Sequence, residues 1–262
     1  MKISIIGAGA MGGALAEGLI KTDAVNNEDI CISDPLRSTR DKFSDLGITA
    51  TPSNQLAAQG ADVVCVVVKP WLVEQVLKGI KDVLDYDKQL LVIVAAGVKG
   101  TDIKTWMDKS GKQIATFLVI PNIAIAQLQS MTFVAPVGTP DAQQTERIKA
   151  LFETMGSVII TEENHLAAGT TLASCGIAYA MRYVRAAAEG GVELGFKADE
   201  AKSIVMQTML GAVKLLEATG LHPEAAIDLV TTPGGVTIKG LNEMEHAGFT
   251  SSVIRGLKAG AK

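Results

Sequence analysis

Ile3-Ser4-Ile5-Ile6-Gly7-Ala8-Gly9-Ala10-Met11-Gly12 is the most informative stretch of the chain. A β-branched run ends in a G-x-G-x-x-G turn, and the residues beyond it (Ala14 to Ile20) have a helical pattern. On its own the glycine spacing says little. Placed after a first strand and at the mouth of a helix, it reads as a dinucleotide loop. Gly7 permits a tight turn, Gly9 lets the backbone approach a pyrophosphate, and Gly12 lets the helix pack close to the strand. Ala8, Ala10 and Met11 complete the loop, whose phosphates would rest on the free amides of the helix N-terminus.

Outward from that loop the same rhythm repeats. Ile30–Ile32, Val63–Val68, Leu90–Val94 and Ala115–Val119 are short apolar runs of the kind buried on both faces of a parallel sheet. Helical patterns such as Trp71 to Val83 lie between them, which predicts βαβ units and a doubly wound α/β Rossmann domain. From Glu163 the composition shifts. Ala becomes dense and long helices are expected at Leu166–Leu194 and Ala198–Ala218, the second stopped by Gly220 and Pro223. A short helix to Val230, the loop Thr231-Thr232-Pro233-Gly234-Gly235 and two more helices follow. The expected organisation is a dinucleotide domain at 1–162 and an all-α domain at 163–262. The first long helix is apolar around most of its circumference, so it needs cover from its own domain or from a second subunit.

Cofactor choice turns on the end of the second strand. Asp34 could hold a ribose 2′-hydroxyl, or it could cap the next helix through Asp34-Pro35. Ser33 and Arg37 could instead cradle a 2′-phosphate. We read NADP as the cofactor, with NAD as the alternative.

The rest of the composition excludes more than it assigns. A net charge of −4 offers no basic field, and 4% aromatics offer no stacking platform, so neither nucleic acid nor membrane is expected as a partner. Cys31, Cys65 and Cys175 are scattered in apolar stretches, which suits small core residues in a reducing cytoplasm better than disulfides or a metal site. The N-terminus has no secretory pattern. Among three histidines, His165, His222 and His246, none sits in a catalytic motif.

The order of motifs resembles the pyrroline-5-carboxylate reductase family over essentially the whole chain. Gly7 to Gly12, Asn54, Ala61-Asp62-Val63-Val64 and Val68-Lys69-Pro70 match, followed by Ala95-Ala96-Gly97-Val98, Pro121-Asn122, Met131-Thr132 and Ala178-Tyr179. Thr232-Pro233-Gly234-Gly235-Val236-Thr237-Ile238 and Gly248-Phe249 complete the series. The Val-Lys-Pro strand end and the Pro-Gly-Gly-x-Thr loop are the specific ones. The resemblance implies hydride transfer from NAD(P)H to the cyclic imine of 1-pyrroline-5-carboxylate, giving L-proline. It places Asn54 and Val68-Lys69-Pro70 on the adenosine side of the cofactor, with Ala95-Ala96-Gly97 beneath the nicotinamide and Asn122 also at the cofactor. Gly234, Gly235, Val236 and Thr237 would hold the substrate, Thr237 as the catalytic hydrogen-bonding group and Glu163 as a negative neighbour for the iminium. It also implies a homodimer with interlaced helical domains, the Pro-Gly-Gly loop of one subunit completing its partner's site, with a ring of dimers left undecided. The residues point the same way. Two glycines opening a helix make a second anion nest, suited to a small carboxylate.

Three departures from the family pattern carry expectations of their own. Leu118-Val119-Ile120-Pro121-Asn122-Ile123-Ala124-Ile125 replaces a stretch with more Arg, Thr and Pro, and Leu128 and Ser130 stand where glycines are usual. Leu172-Ala173-Ser174-Cys175-Gly176-Ile177 lacks one Gly and one Pro, which predicts a more regular helix and a reshaped pocket. Those changes would also suit a catalytically altered paralogue that acts on another small imine or as a nucleotide sensor. A β-hydroxyacid dehydrogenase is the lesser alternative, since the span 169–195 contains neither the Lys nor the Asn that its chemistry needs.

Overall fold

The computed structural model describes every residue except Asp23, Thr139 and Lys262. The chain divides into two units, Met1–Ser174 and Cys175–Lys262.

The first unit is built on an eight-stranded sheet: β1 (Ile3–Ile6), β2 (Ile30–Ser33), β3 (Thr49–Thr51), β4 (Val63–Val66), β5 (Leu90–Ile93), β6 (Ala115–Ile120), β7 (Ser130–Val137) and β8 (Gly156–Ile160). Their order is β3-β2-β1-β4-β5-β6-β7-β8. Strands β1 to β6 pair in parallel, in register Ile3↔Ile30 and Ile3↔Val63 at the centre. Apolar side chains on the two faces feed separate cores, one around Ile5, Leu15, Phe43 and Phe117, the other around Ile6, Val64, Leu77 and Leu118. Continuous apolar strands are what such double burial requires.

Three strands were not among the expected runs, and they change the edge of the sheet. Strand β7 runs antiparallel to β6, in register Val119↔Val134, and β8 runs parallel to β7. The reversal is made by a 3₁₀ helix, Ile123–Gln127, closed by Leu128 at φ +59. A leucine in the left-handed region costs about 1–2 kcal/mol relative to glycine. Its side chain packs on the first core, which offsets that strain.

One defect is visible in the middle of the sheet. Ser4 lies between Cys31 and Val64, is 0% exposed, and its hydroxyl has no hydrogen-bond partner. An orphaned buried hydroxyl costs about 1–3 kcal/mol. Ser4→Ala should therefore stabilise the fold by about 1 kcal/mol, read as a higher denaturation midpoint at unchanged slope. A fall in midpoint would mean that the hydroxyl is satisfied.

The second unit consists of helices Gly176–Glu193, Ala198–Thr219, Pro223–Val230, Val236–His246 and Phe249–Gly260. Gly220 ends the second at φ +62, in the left-handed cap its sequence suggests. The first two helices pack at small residues: a Cβ on Gly191 would lie 2.8 Å from that of Ala201. Ala201 is the one fully buried residue among the described residues of this unit, while Met181, Leu194, Met206, Leu210, Leu229 and Val236 are more than half exposed. A helical unit with so little interior of its own needs a second surface to cover it.

The expectation of a regular helix from Leu166 is corrected. After one α-helical turn, Leu166–Gly169, the chain makes a π-helical turn at Thr170–Cys175 before Gly176–Glu193 resumes. Hydrogen bonds to the β6 end hold the irregularity in place. The Ser174 hydroxyl donates to the Pro121 carbonyl at 2.8 Å, and Asn122 Nδ2 donates to the Ala173 carbonyl at 3.4 Å. Losing a Gly and a Pro does not straighten a helix whose carbonyls are drawn aside in this way.

Candidate active site

The glycine loop follows β1 and opens helix Ala10–Lys21. Gly7 has φ +92, and a Cβ there would lie 2.4 Å from the Val67 carbonyl oxygen. A Cβ on Gly12 would lie 1.9 Å from the Gly7 carbonyl oxygen. Both positions are closed to any side chain. Gly9 differs: it is the helix N-cap, has φ −66, and its Cβ would meet nothing within 4 Å. Two glycines therefore shape the loop and the third keeps its outer face bare beside free helix amides, an arrangement that takes an anion.

At the end of β2 the polar side chains turn inward. Ser33 is buried and its hydroxyl donates to Asn54 Oδ1 at 2.7 Å. Asp34, 7% exposed, accepts the Ala8 N–H on Oδ2 and the Leu36 N–H on Oδ1, both at 2.9 Å. The N-cap of helix Arg37–Ser44 is Leu36, and Asp34 bonds that residue's N–H from two positions upstream, so one carboxylate oxygen serves the helix start and the other the glycine loop. Arg40 Nη1 donates to the carbonyls of Asp34 and Pro35. Arg37 is held only by an exposed ion pair with Asp41 at 3.5 Å, its own side chain 86% exposed. Such a pair is worth little, so of Arg37 and Arg40 it is Arg37 whose side chain is less committed to the protein.

A cleft of about 470 Å³ beside the loop is lined by Gly7, Ser33, Pro35, Asn54, Val68 and Gln75. Lys69 and Pro70, which follow Val68 in the chain, are not among the residues that line it; Lys69 is the N-cap of the 3₁₀ turn Pro70–Leu72. Beyond β5, Ala95 is buried, Ala96 and Gly97 are exposed, and Gly97 turns the chain at φ +79. The helix that follows, Gly100–Met107, lacks a cap of its own. Glu163 supplies one, Oε1 accepting the Gly100 N–H at 2.9 Å. That bond is the contact sequence reading did not foresee for Glu163, because it joins residues 63 apart.

Asn122 is almost wholly engaged by its own protein. Its side chain bonds Ala124 and Ala173, and its N–H donates to Ser130 Oγ at 3.2 Å. Ser130, in a usual glycine position, thus gives the backbone a partner that glycine lacks.

In the second unit, Gly234 has φ +71 and Gly235 is the N-cap of helix Val236–His246. The nest differs in one detail from its sequence reading. Gly235 N–H is already donated to the Thr232 carbonyl at 2.9 Å, so the donors left at this end are the amides of Val236, Thr237 and Ile238. Thr237 is exposed in that first turn, beside the N–H groups.

Each histidine has a local partner: His222 accepts the Glu224 N–H, His165 meets Thr161, and His246 lies 3.7 Å from Glu243. Burial pushes the Cys65 thiol up to about 12, which keeps it protonated and inert. No cluster of three or more His, Cys, Asp or Glu residues among those described could hold a metal ion. No single helix among the described residues is long and apolar enough to cross a membrane.

Fold and loop geometry define a Rossmann-type dinucleotide-dependent oxidoreductase carrying a helical second unit. Residues 163–262 match the pyrroline-5-carboxylate reductase dimerisation family, and residues 2–97 match a family described as NADP oxidoreductase, coenzyme F420-dependent. Pyrroline-5-carboxylate reductase of Pisum sativum is 34% identical over 99% of this chain and 93% of its own. Pyrroline-5-carboxylate reductase 1 of Dictyostelium discoideum is 35% identical over 97% of this chain, which spans only 48% of that longer relative. The crystal structure of Plasmodium falciparum pyrroline carboxylate reductase, with NADP bound, shares the fold with a TM-score of 0.89, 22% identity, and coverage of 100% of this chain and 95% of that one. The chain belongs to the pyrroline-5-carboxylate reductase family.

Proposed function

We infer that this chain reduces the cyclic imine of 1-pyrroline-5-carboxylate to L-proline with NADPH, serving proline biosynthesis. The observation that carries the reading is family membership along the whole chain joined to a glycine loop whose outer face is bare at Gly9. The loop fits a pyrophosphate, since Gly7 and Gly12 fix its path and the helix amides face outward. NADPH, when bound, supplies the hydride.

The chain's own residues would do the rest. Gly7, Ala8, Gly9, Ala10, Met11 and Gly12 cradle the phosphates, Arg37 meets the 2′-phosphate, and Asn54, Val68, Lys69 and Pro70 border the adenosine. Ala95, Ala96 and Gly97 form the floor under the reacting ring, with Glu163 steadying that floor through Gly100. Asn122 braces the adjoining loop. Gly234, Gly235 and Val236 position the substrate carboxylate and Thr237 hydrogen-bonds the ring nitrogen. An iminium carbon accepts hydride with little acid–base help, so positioning and exclusion of water account for most of the rate. This division of labour assigns 1–162 to the cofactor and 163–262 to the substrate and the second subunit.

With NADPH carrying deuterium at C4, label should appear on the ring carbon that was doubly bonded to nitrogen. Unlabelled proline would refute direct transfer.

Arg37 sets cofactor preference in this account. Arg37→Ala should weaken NADPH binding by about 1–3 kcal/mol, the value of a lost charge-assisted hydrogen bond, with NADH little changed. Titration showing equal loss for both would remove Arg37 from the 2′-phosphate.

The exposed apolar faces of the second unit are covered by a second copy of the chain, its helical domain interlaced with the first. Sedimentation at micromolar concentration should show a dimer or a multiple of it, and a monomer alone would contradict this. We place the enzyme in the cytoplasm, where its three unpaired cysteines stay reduced.

A further inference from the structure

An acidic residue closing the second strand of a dinucleotide domain is expected to reach outward to a ribose. Here Asp34 is 7% exposed and both carboxylate oxygens already accept backbone N–H groups, from Ala8 and from Leu36. The adjoining bonds form one brace. Gly7 N–H donates to the Ser33 carbonyl at 2.7 Å, so two successive amides of the glycine loop are held by two successive residues at the β2 end. Arg40 grips the carbonyls of Asp34 and Pro35 from the other side, and Asp34 N–H donates to the Thr51 carbonyl.

We propose that Asp34 is a positioning residue for the phosphate loop, fixing the Ala8 peptide so that Gly9 and the helix amides face the pyrophosphate, and that it does not contact the ribose. The proposal rests on the glycine loop being the dinucleotide site. Its consequence is specific. The pyrophosphate is common to NADPH and NADH, whereas the ribose 2′-substituent is what distinguishes them. A latch therefore acts on both cofactors alike, and a ribose ligand acts on NADH alone. Discrimination between them then falls to groups other than Asp34, Arg37 first among them in the proposed site.

The test uses the full chain with two readouts: NADPH and NADH affinity by fluorescence titration, and exchange of the Ala8 amide proton by NMR. Asp34→Ala should weaken both cofactors by the same factor, about tenfold, the scale of lost hydrogen bonds to a charged group. The Ala8 amide should exchange faster in the variant without cofactor. Asp34→Asn keeps one acceptor oxygen and should show a smaller, still equal, loss, which covers the case of a poorly folded alanine variant. A loss confined to NADH would overturn the proposal in favour of a ribose contact, and so would unchanged Ala8 exchange. A parent protein that binds neither cofactor would sink the dinucleotide reading itself, an outcome separate from the Ala8 result.

Discussion

Gly9→Val should abolish dinucleotide binding and leave the protein folded. Both halves of that expectation follow from one position. Gly9 has a backbone conformation open to other residues, and its Cβ would meet no atom within 4 Å, so a side chain there starts into open space. The branched side chain would instead stand where a pyrophosphate must approach the helix amides. Losing two charge-assisted hydrogen bonds weakens binding by about 3–6 kcal/mol, roughly 100-fold or more. Gly12→Ala is the contrasting variant. Its Cβ would fall 1.9 Å from backbone oxygen, so it should lower the melting temperature as well as binding. Titration and thermal melts on the two variants separate the roles; unchanged affinity in Gly9→Val would show that the loop is not a phosphate site.

Thr237→Ala should lower kcat/KM by roughly 10- to 100-fold, equivalent to about 1.4–2.7 kcal/mol, with cofactor affinity unchanged. Thr237 stands in the first turn of helix Val236–His246, beside the amides that Gly235 does not use. With the carboxylate anchored at Gly234–Val236 as proposed, the Thr237 hydroxyl would meet the nitrogen of the five-membered ring. That hydrogen bond changes as the nitrogen goes from planar iminium to tetrahedral amine, so part of the loss should appear in kcat. Thr231 and Thr232 are the controls. The Thr231 hydroxyl donates to the Asp228 carbonyl, and Thr232 lies on the other side of Pro233 from the helix amides, so both should matter less than Thr237. A parent rate in Thr237→Ala would move the site elsewhere.

The parts of the molecule that were legible in sequence are those governed by local rules. Glycines at 7, 9 and 12 have steric consequences within one turn, and the apolar runs at β1, β2, β4, β5 and β6 announce burial on both faces. The missed strands lack that mark. Thr49-Ala50-Thr51 is three residues long and ends at Pro52, and Ser130–Val137 mixes polar residues with Pro136. Gly156–Ile160 lies on the edge with Ile159 and Ile160 exposed, so its pattern does not report a two-sided core. The π-helical turn was hidden for another reason: it depends on Pro121 and Asn122, which meet Ala173 and Ser174 only in the folded chain. Asp34 shows the same limit at the candidate site. Its spacing from the glycine loop suggested a ligand contact, and only the tertiary fold shows its oxygens turned to Ala8 and Leu36.

Imine reduction by this chain, altered motifs included, has a direct test. Purified protein given NADPH and 1-pyrroline-5-carboxylate should consume cofactor and form L-proline in equal amounts. Tight NADPH binding without proline formation would contradict the account and make the chain a nucleotide-binding paralogue with another substrate or none.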